Sequence, residues 1–175
     1  MDKIPKSYFM TKNYQSKMDD RLKTITELLD KLNIEYVIHA GTLLGKVRHN
    51  DYIPWDDDID IAIRHLEDGG MSLRKELRNR KIPVKKMFFG VQIFNRPYVD
   101  LMFYDKNWEG DEEKGEWINP KYKKKRVKVD FRGIKVYSPT PEEAKKYLIR
   151  QYGSNYMTEY VAFNHKNKKK IRGKL

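Results

Sequence analysis

Four carboxylates, Asp56, Asp57, Asp58 and Asp60, crowd the octet Pro54-Trp55-Asp56-Asp57-Asp58-Ile59-Asp60-Ile61. Like charges this close repel, so a chain has little reason to gather them unless something cationic sits among them. From Asp58 the residues alternate through Ile63, the period of a half-buried strand. Ile59, Ile61 and Ile63 then face a core, and Asp58 and Asp60 share the other face with Cα atoms roughly 6.5–7 Å apart. Two carboxylates side by side on a rigid strand make a clamp for a hard divalent cation, Mg²⁺ or Mn²⁺. A solvated acidic turn is the plainer reading of an isolated Asp-x-Asp, and the flanking segments decide against it.

Upstream, the apolar run Tyr36 to Ala40 reads as a buried strand ended by Gly41. Thr42 is placed to cap a short helix over Leu43–Arg48. The free N–H groups of such a helix start, here those of Thr42 and Leu43, suit a phosphate. Downstream, Tyr98-Val99-Asp100-Leu101-Met102-Phe103 is a second apolar strand with one acid inside it. If this strand lies beside the first, Asp58, Asp60 and Asp100 converge, and Asp100 either joins the metal or accepts a proton from an attacking hydroxyl. A phosphate-holding turn beside a metal-holding strand is what phosphoryl transfer requires.

Ala40-Gly41-Thr42-Leu43-Leu44-Gly45-Lys46-Val47-Arg48-His49, followed by Tyr52 to Ile61, closely resembles the LicD family, which includes the fukutin-type transferases. Phe131-Arg132-Gly133, Pro139, Leu148 and Tyr152-Gly153 are similar to that family's ending, so the resemblance spans roughly residues 18 to 157. It implies an α+β, nucleotidyltransferase-like fold: a mixed β-sheet flanked by helices. It also implies transfer of a phospho-alcohol, of the phosphocholine, ribitol phosphate or glycerol phosphate type, from a CDP-linked donor to a glycan hydroxyl with divalent-cation assistance. On this chain the implied metal pair is Asp58 and Asp60, the third carboxylate is Asp100, and the phosphate-contacting turn is Gly41 and Thr42. Arg48 stands where the family keeps a basic residue for the donor diphosphate. His49 follows it, near the phosphates, and Asp56 is a weaker candidate beside the metal. Lys46 departs from the small residue usual there. With no cysteine in the chain, a Cys-ligated zinc site is excluded.

Two other functions stay open at this level. One is transfer of a nucleoside monophosphate from a triphosphate to a protein, RNA or small molecule. The other is a catalytically silent, basic nucleic-acid-binding protein. The net charge of +12 bears on the second, through the runs Lys121–Arg126 and Lys166–Lys170. These runs suit an anionic glycan acceptor, a nucleotide donor, a membrane face or a nucleic acid, or form a solvated lysine-rich surface with a frayed basic tail over about 164–175. No recognisable nucleic-acid-binding motif accompanies them.

The remaining chain reads as one domain over residues 1–175. Met18, Leu22, Ile25, Leu29 and Leu32 recur at helical spacing, predicting an amphipathic helix over 16–33. Helices are also predicted over 71–80 and 141–152, the latter opened by the capping box Thr140-Pro141-Glu142-Glu143. Strand pairs are predicted over 84–88 with 91–96, and over 126–130 with 133–137. The loop 105–120 carries Trp108 and Trp117, stacking faces for a sugar or base. His39 reads as a structural residue at a strand end, and His65 and His165 lie in polar contexts. No run of apolar residues is long enough to span a membrane, and the first residues lack the apolar core of a signal peptide. The cytosol is the simplest location, with peripheral-membrane or virion association left open.

Overall fold

The structure, a computed structural model, describes residues 4–64, 66–104, 126–164 and 169–175. The loop 105–120 with Trp108 and Trp117, most of the run Lys121–Arg126, Lys166 to Lys168, His65 and His165 lie outside the described residues. Helix α1, Lys12–Lys31, opens at Thr11, whose hydroxyl accepts the N–H of Tyr14 at 3.2 Å. This cap starts the helix earlier than the apolar stripe alone suggests. Met18, Leu22, Ile25 and Leu29 are buried along one face, while Leu32 lies beyond the last turn and is exposed.

Five strands form one mixed sheet in the order β1-β2-β5-β4-β3. They are β1 Tyr36–Ile38, β2 Asp58–Arg64, β3 Val84–Met87, β4 Gly90–Ile93 and β5 Tyr98–Tyr104. β2 runs parallel to β5 and antiparallel to β1, and β4 pairs antiparallel with both β5 and β3. Ile59, Asp60, Ile61, Ala62 and Ile63 are all buried. β2 is therefore covered on both faces, not half-buried as its alternation suggests. Helices α1 and α2, Ala40–His49, pack against it. Helix α3, Met71–Asn79, seats Leu73 and Leu77 in the core.

A hairpin of β6, Arg126–Phe131, and β7, Ile134–Pro139, turns at Arg132-Gly133 and lies against β1. Arg132 holds it to the rest of the fold, donating to both carboxylate oxygens of Asp19 at 2.8 and 2.9 Å and to Asp51 at 2.6 Å. Helix α4, Pro141–Tyr152, begins at the Thr140 cap and ends at Gly153. The C-terminus differs from the frayed tail expected of its lysine content. Strands β8, Glu159–Asn164, and β9, Lys169–Lys174, pair as an antiparallel hairpin. Its inner residues Tyr160 and Ala162 are buried, and that burial supplies the order a free basic tail would lack. Among the described residues no helix is long and apolar enough to cross a membrane.

Candidate functional site

The parallel pairing of β2 with β5 sets Asp60 directly opposite Asp100, with Asp58 opposite Tyr98. One carboxylate oxygen from each of Asp58, Asp60 and Asp100 lies within 4.8 Å of the others. Three hard anionic oxygens on two rigid strands suit a divalent cation that prefers oxygen ligands. Gln92, on β4 and opposite Asp100, donates from its amide to Asp100 Oδ1 at 2.8 Å and fixes that carboxylate's orientation. Asp57 turns elsewhere, toward Arg96 at 3.8 Å.

The β1–α2 turn packs against these acids. β1 stops at Ile38 because the backbone turns at His39 and enters the left-handed region at Ala40, where φ is 38°. The helix therefore starts at Ala40, and Thr42 lies within it instead of capping it. The Thr42 hydroxyl accepts the Asp60 N–H at 2.9 Å and so ties the helix to β2. Gly41 donates its N–H to Asp60 Oδ2 at 2.8 Å. A Cβ on Gly41 would sit 2.2 Å from Asp56 Oδ2 and 3.1 Å from Asp60 Oδ2, so only glycine lets two carboxylates approach. The Leu43 N–H, expected to face a phosphate, donates to the His39 carbonyl at 2.8 Å, because the helix starts earlier than the sequence suggests. Lys46 donates to Asn50 at the helix end instead of reaching toward a phosphate.

A cavity of about 830 Å³ opens over Gly41, with Asp56, Asp58 and Asp60 along its floor. Asp100 belongs to the acid cluster but is not part of this cavity's wall. Arg48 does line the cavity, yet its guanidinium is engaged as a clasp. It donates to the carbonyls of Tyr156 and Glu159, both at 3.1 Å, and to His49 Nε2 at 2.9 Å. His49 thus faces Arg48 and the edge of Trp55.

Several wall residues carry no site role of their own in the sequence reading. Trp55 stacks under the Arg48 guanidinium at 5.8 Å and donates its indole N–H to the Val161 carbonyl at 3.2 Å. Tyr152, Lys170, Arg172 and Lys174 complete the opposite side. For Tyr152 the family-like Tyr152-Gly153 pair was a signal. For the basic residues the signal was the alternation Lys170-Ile171-Arg172-Gly173-Lys174, overshadowed by the lysine run before it.

Burial, then repulsion from Asp58 and a hydrogen bond with it, pushes the Asp56 carboxyl well above the usual range. Burial, followed by the charges of Asp58, Asp56 and Asp100, does the same to Asp60 against the opposing Gly41 N–H. Burial also raises Asp100, while the Gln92 bond pulls it back. The Tyr152 hydroxyl is raised by burial and by nearby Asp60, and stays protonated at neutral pH. A cluster of acids that resists full ionisation is an electrostatic vacancy for positive charge.

Residues 33–141 match the family described as LicD/FKTN/FKRP, nucleotidyltransferase domain. Over 111 residues the chain is 33% identical to Ribitol 5-phosphate transferase FKRP of Homo sapiens, covering 54% of this chain and 21% of that protein. Over 40 residues it is 50% identical to Lipopolysaccharide cholinephosphotransferase LicD of Haemophilus influenzae, covering 23% of this chain and 15% of that protein. The chain thus spans only 15% to 21% of the length of these curated relatives. An antigenic nucleotidyltransferase-like protein from Paracoccidioides brasiliensis, solved by crystallography, aligns with a TM-score of 0.48 at 20% identity, over 76% of this chain and 67% of that one.

Proposed function

Because the chain belongs to the LicD/FKTN/FKRP nucleotidyltransferase-domain family, we propose that it transfers a phospho-alcohol from a CDP-linked donor to a glycan hydroxyl. The observation that carries this reading is the convergence of Asp58, Asp60 and Asp100 within 4.8 Å, with Asp58 and Asp60 lining a cleft roomy enough for a nucleotide. The names of the relatives support the class of group moved, ribitol phosphate or phosphocholine, and the saccharide acceptor.

The three carboxylates fit Mg²⁺ or Mn²⁺ by donor type and spacing, and Asp58, Asp60 and Asp100 would hold it. When bound, such an ion neutralises the phosphate oxygens of the donor and the charge that builds on the leaving group. The chain's own residues do the remaining work. Gly41 leaves room for the Asp56 and Asp60 carboxylates, and its N–H fixes one oxygen of Asp60. Thr42 holds the β2 backbone at Asp60, and Gln92 aims Asp100. Asp56 lines the cavity beside the metal-holding acids, where its ionised carboxylate can accept the hydroxyl proton as the acceptor oxygen attacks phosphorus. The bond from phosphorus to the leaving phosphate oxygen breaks, and CMP departs. Asp100, set outside the cavity wall, serves as a ligand and not as the base.

The test is a product assay with Mg²⁺ and radiolabelled CDP-ribitol, CDP-choline, CDP-glycerol, CTP and ATP. Acceptor-dependent release of CMP is the expected outcome. Release of pyrophosphate from a triphosphate would replace the proposal with nucleotidyl transfer, and salt-sensitive oligonucleotide binding without turnover would replace it with a nucleic-acid-binding role.

A further inference from the structure

On the reading that the cleft takes a CDP-linked donor, we propose that the β8–β9 hairpin is the anion-binding wall for the donor's diphosphate, contacted by Lys170, Arg172 and Lys174. Two N–H groups of the family-like turn are already committed. The Gly41 N–H is given to Asp60 and the Leu43 N–H to the His39 carbonyl. Arg48 is committed to two carbonyls and to His49. A diphosphate entering above Asp56, Asp58 and Asp60 meets three carboxylates, so its charge has to be balanced from another side of the cleft.

The hairpin supplies that balance. Lys170, Arg172 and Lys174 alternate along β9, so their side chains leave the same face, and all three line the cavity that holds the acids. Ile171 points the other way and packs on the core. Gly173 allows close packing between them, because a Cβ there would lie 2.7 Å from the Tyr160 hydroxyl oxygen. Among the described residues the wall carries one acid, Glu159, which stands opposite Lys174 and accepts from the Asn155 amide at 3.2 Å.

The wall is held in place from the acid side. Trp55, the residue before Asp56, donates to the Val161 carbonyl and meets the Tyr160 ring at 5.4 Å in a tilted contact. Arg48 holds Tyr156 and Glu159 by their carbonyls. The Leu175 N–H donates to the Thr158 carbonyl at 2.8 Å and closes the open end of the hairpin. The hairpin lies beyond residues 33–141, so this half of the cleft is not part of the family match. Arg48 and Trp55 are positioning residues for the wall, while Lys170, Arg172 and Lys174 touch the ligand.

The experiment compares the full chain with a variant carrying K170S, R172S and K174S, using CDP and cytidine as probes by calorimetry with Mg²⁺ present. All three side chains are exposed, so the variant should melt like the parent. CDP affinity should fall by at least about tenfold and its salt dependence should flatten, as expected when charged contacts to a phosphate are removed. Cytidine affinity should stay the same. An R172K variant should recover part of the loss. CDP affinity within about twofold of the parent, in a variant that melts normally, overturns the wall while leaving the donor reading intact. A parent chain that binds no CDP overturns both readings.

Discussion

Gly41 is the residue the site can least spare. Replacing it with alanine drives a methyl into the Asp56 and Asp60 carboxylates, a clash expected to cost about 1–3 kcal/mol and to displace one acid. The expected result is a lower melting temperature together with turnover near background. Asp56→Asn should separate those two properties. It removes a charge that burial and Asp58 disfavour, so it should raise the melting temperature in EDTA at pH 7.5 by about 2–4 °C while lowering turnover. A melting temperature that falls would show that Asp56 is held by stabilising contacts. His39 provides a separate, pH-dependent term. Burial lowers its pKa from 6.5 to about 3, and its ring meets the Tyr147 hydroxyl at 3.1 Å. Because the folded value lies below the unfolded one, the unfolded chain takes up the proton first as pH falls. Stability from this group is complete above about pH 6.5 and is lost progressively toward pH 3. Asp56 and Asp60 act in the opposite sense, since their raised values cost stability as pH climbs. Comparing melting temperatures of the parent and His39→Gln from pH 7 to 4 isolates the histidine, and the variant should show the shallower decline.

At the scale of elements, periodicity carried most of the information. The α1 stripe, β2, β5 and the Thr140 cap all follow from local pattern, because each repeats a contact within one element. The errors sit at boundaries set by nonlocal bonds. α2 begins at Ala40 because the His39 N–H donates to the Asp60 carbonyl and turns the chain early. β2 is buried on both faces because helices cover a sheet its alternation had left half open. The β6–β7 hairpin follows from local pattern, but its attachment does not, since Arg132 reaches Asp19 and Asp51 from far along the chain. Arg132→Ala leaves those acids without their charged donor and should cost about 1.5–3 kcal/mol, measurable by urea unfolding. An unchanged midpoint would mean that packing of Phe131 and Val136 alone holds the hairpin.

At the scale of the whole molecule, an acid floor faces a basic wall across one cleft. The excess of +12 is thus partly organised and not merely spread over the surface. If the floor holds a divalent cation, Mn²⁺ should raise the melting temperature saturably, with about 2.7 kcal/mol gained at a hundredfold excess over its dissociation constant. The gain should shrink toward pH 5, where protons compete for the raised carboxyls, and vanish in Asp60→Asn. Asp60→Asn should also lose about a hundred- to a thousandfold in turnover, a scale expected when charge stabilisation at the reacting phosphate is lost. A Mn²⁺ shift that survives in this variant would place the ion elsewhere.

The order of residues determined by itself which side chains were available for chemistry: Asp58 and Asp60 two apart on a strand, Asp100 inside another, and Gly41 at a strand–helix turn. Spacing within one element is a local property, and the backbone repeat converts it directly into a shared face. Only the tertiary structure decided that β2 and β5 run parallel in the register that sets Asp60 opposite Asp100. It alone brought β8 and β9 back to Trp55 across 106 positions of chain. Those choices rest on burial and hydrogen bonds between distant segments, which no local repeat encodes.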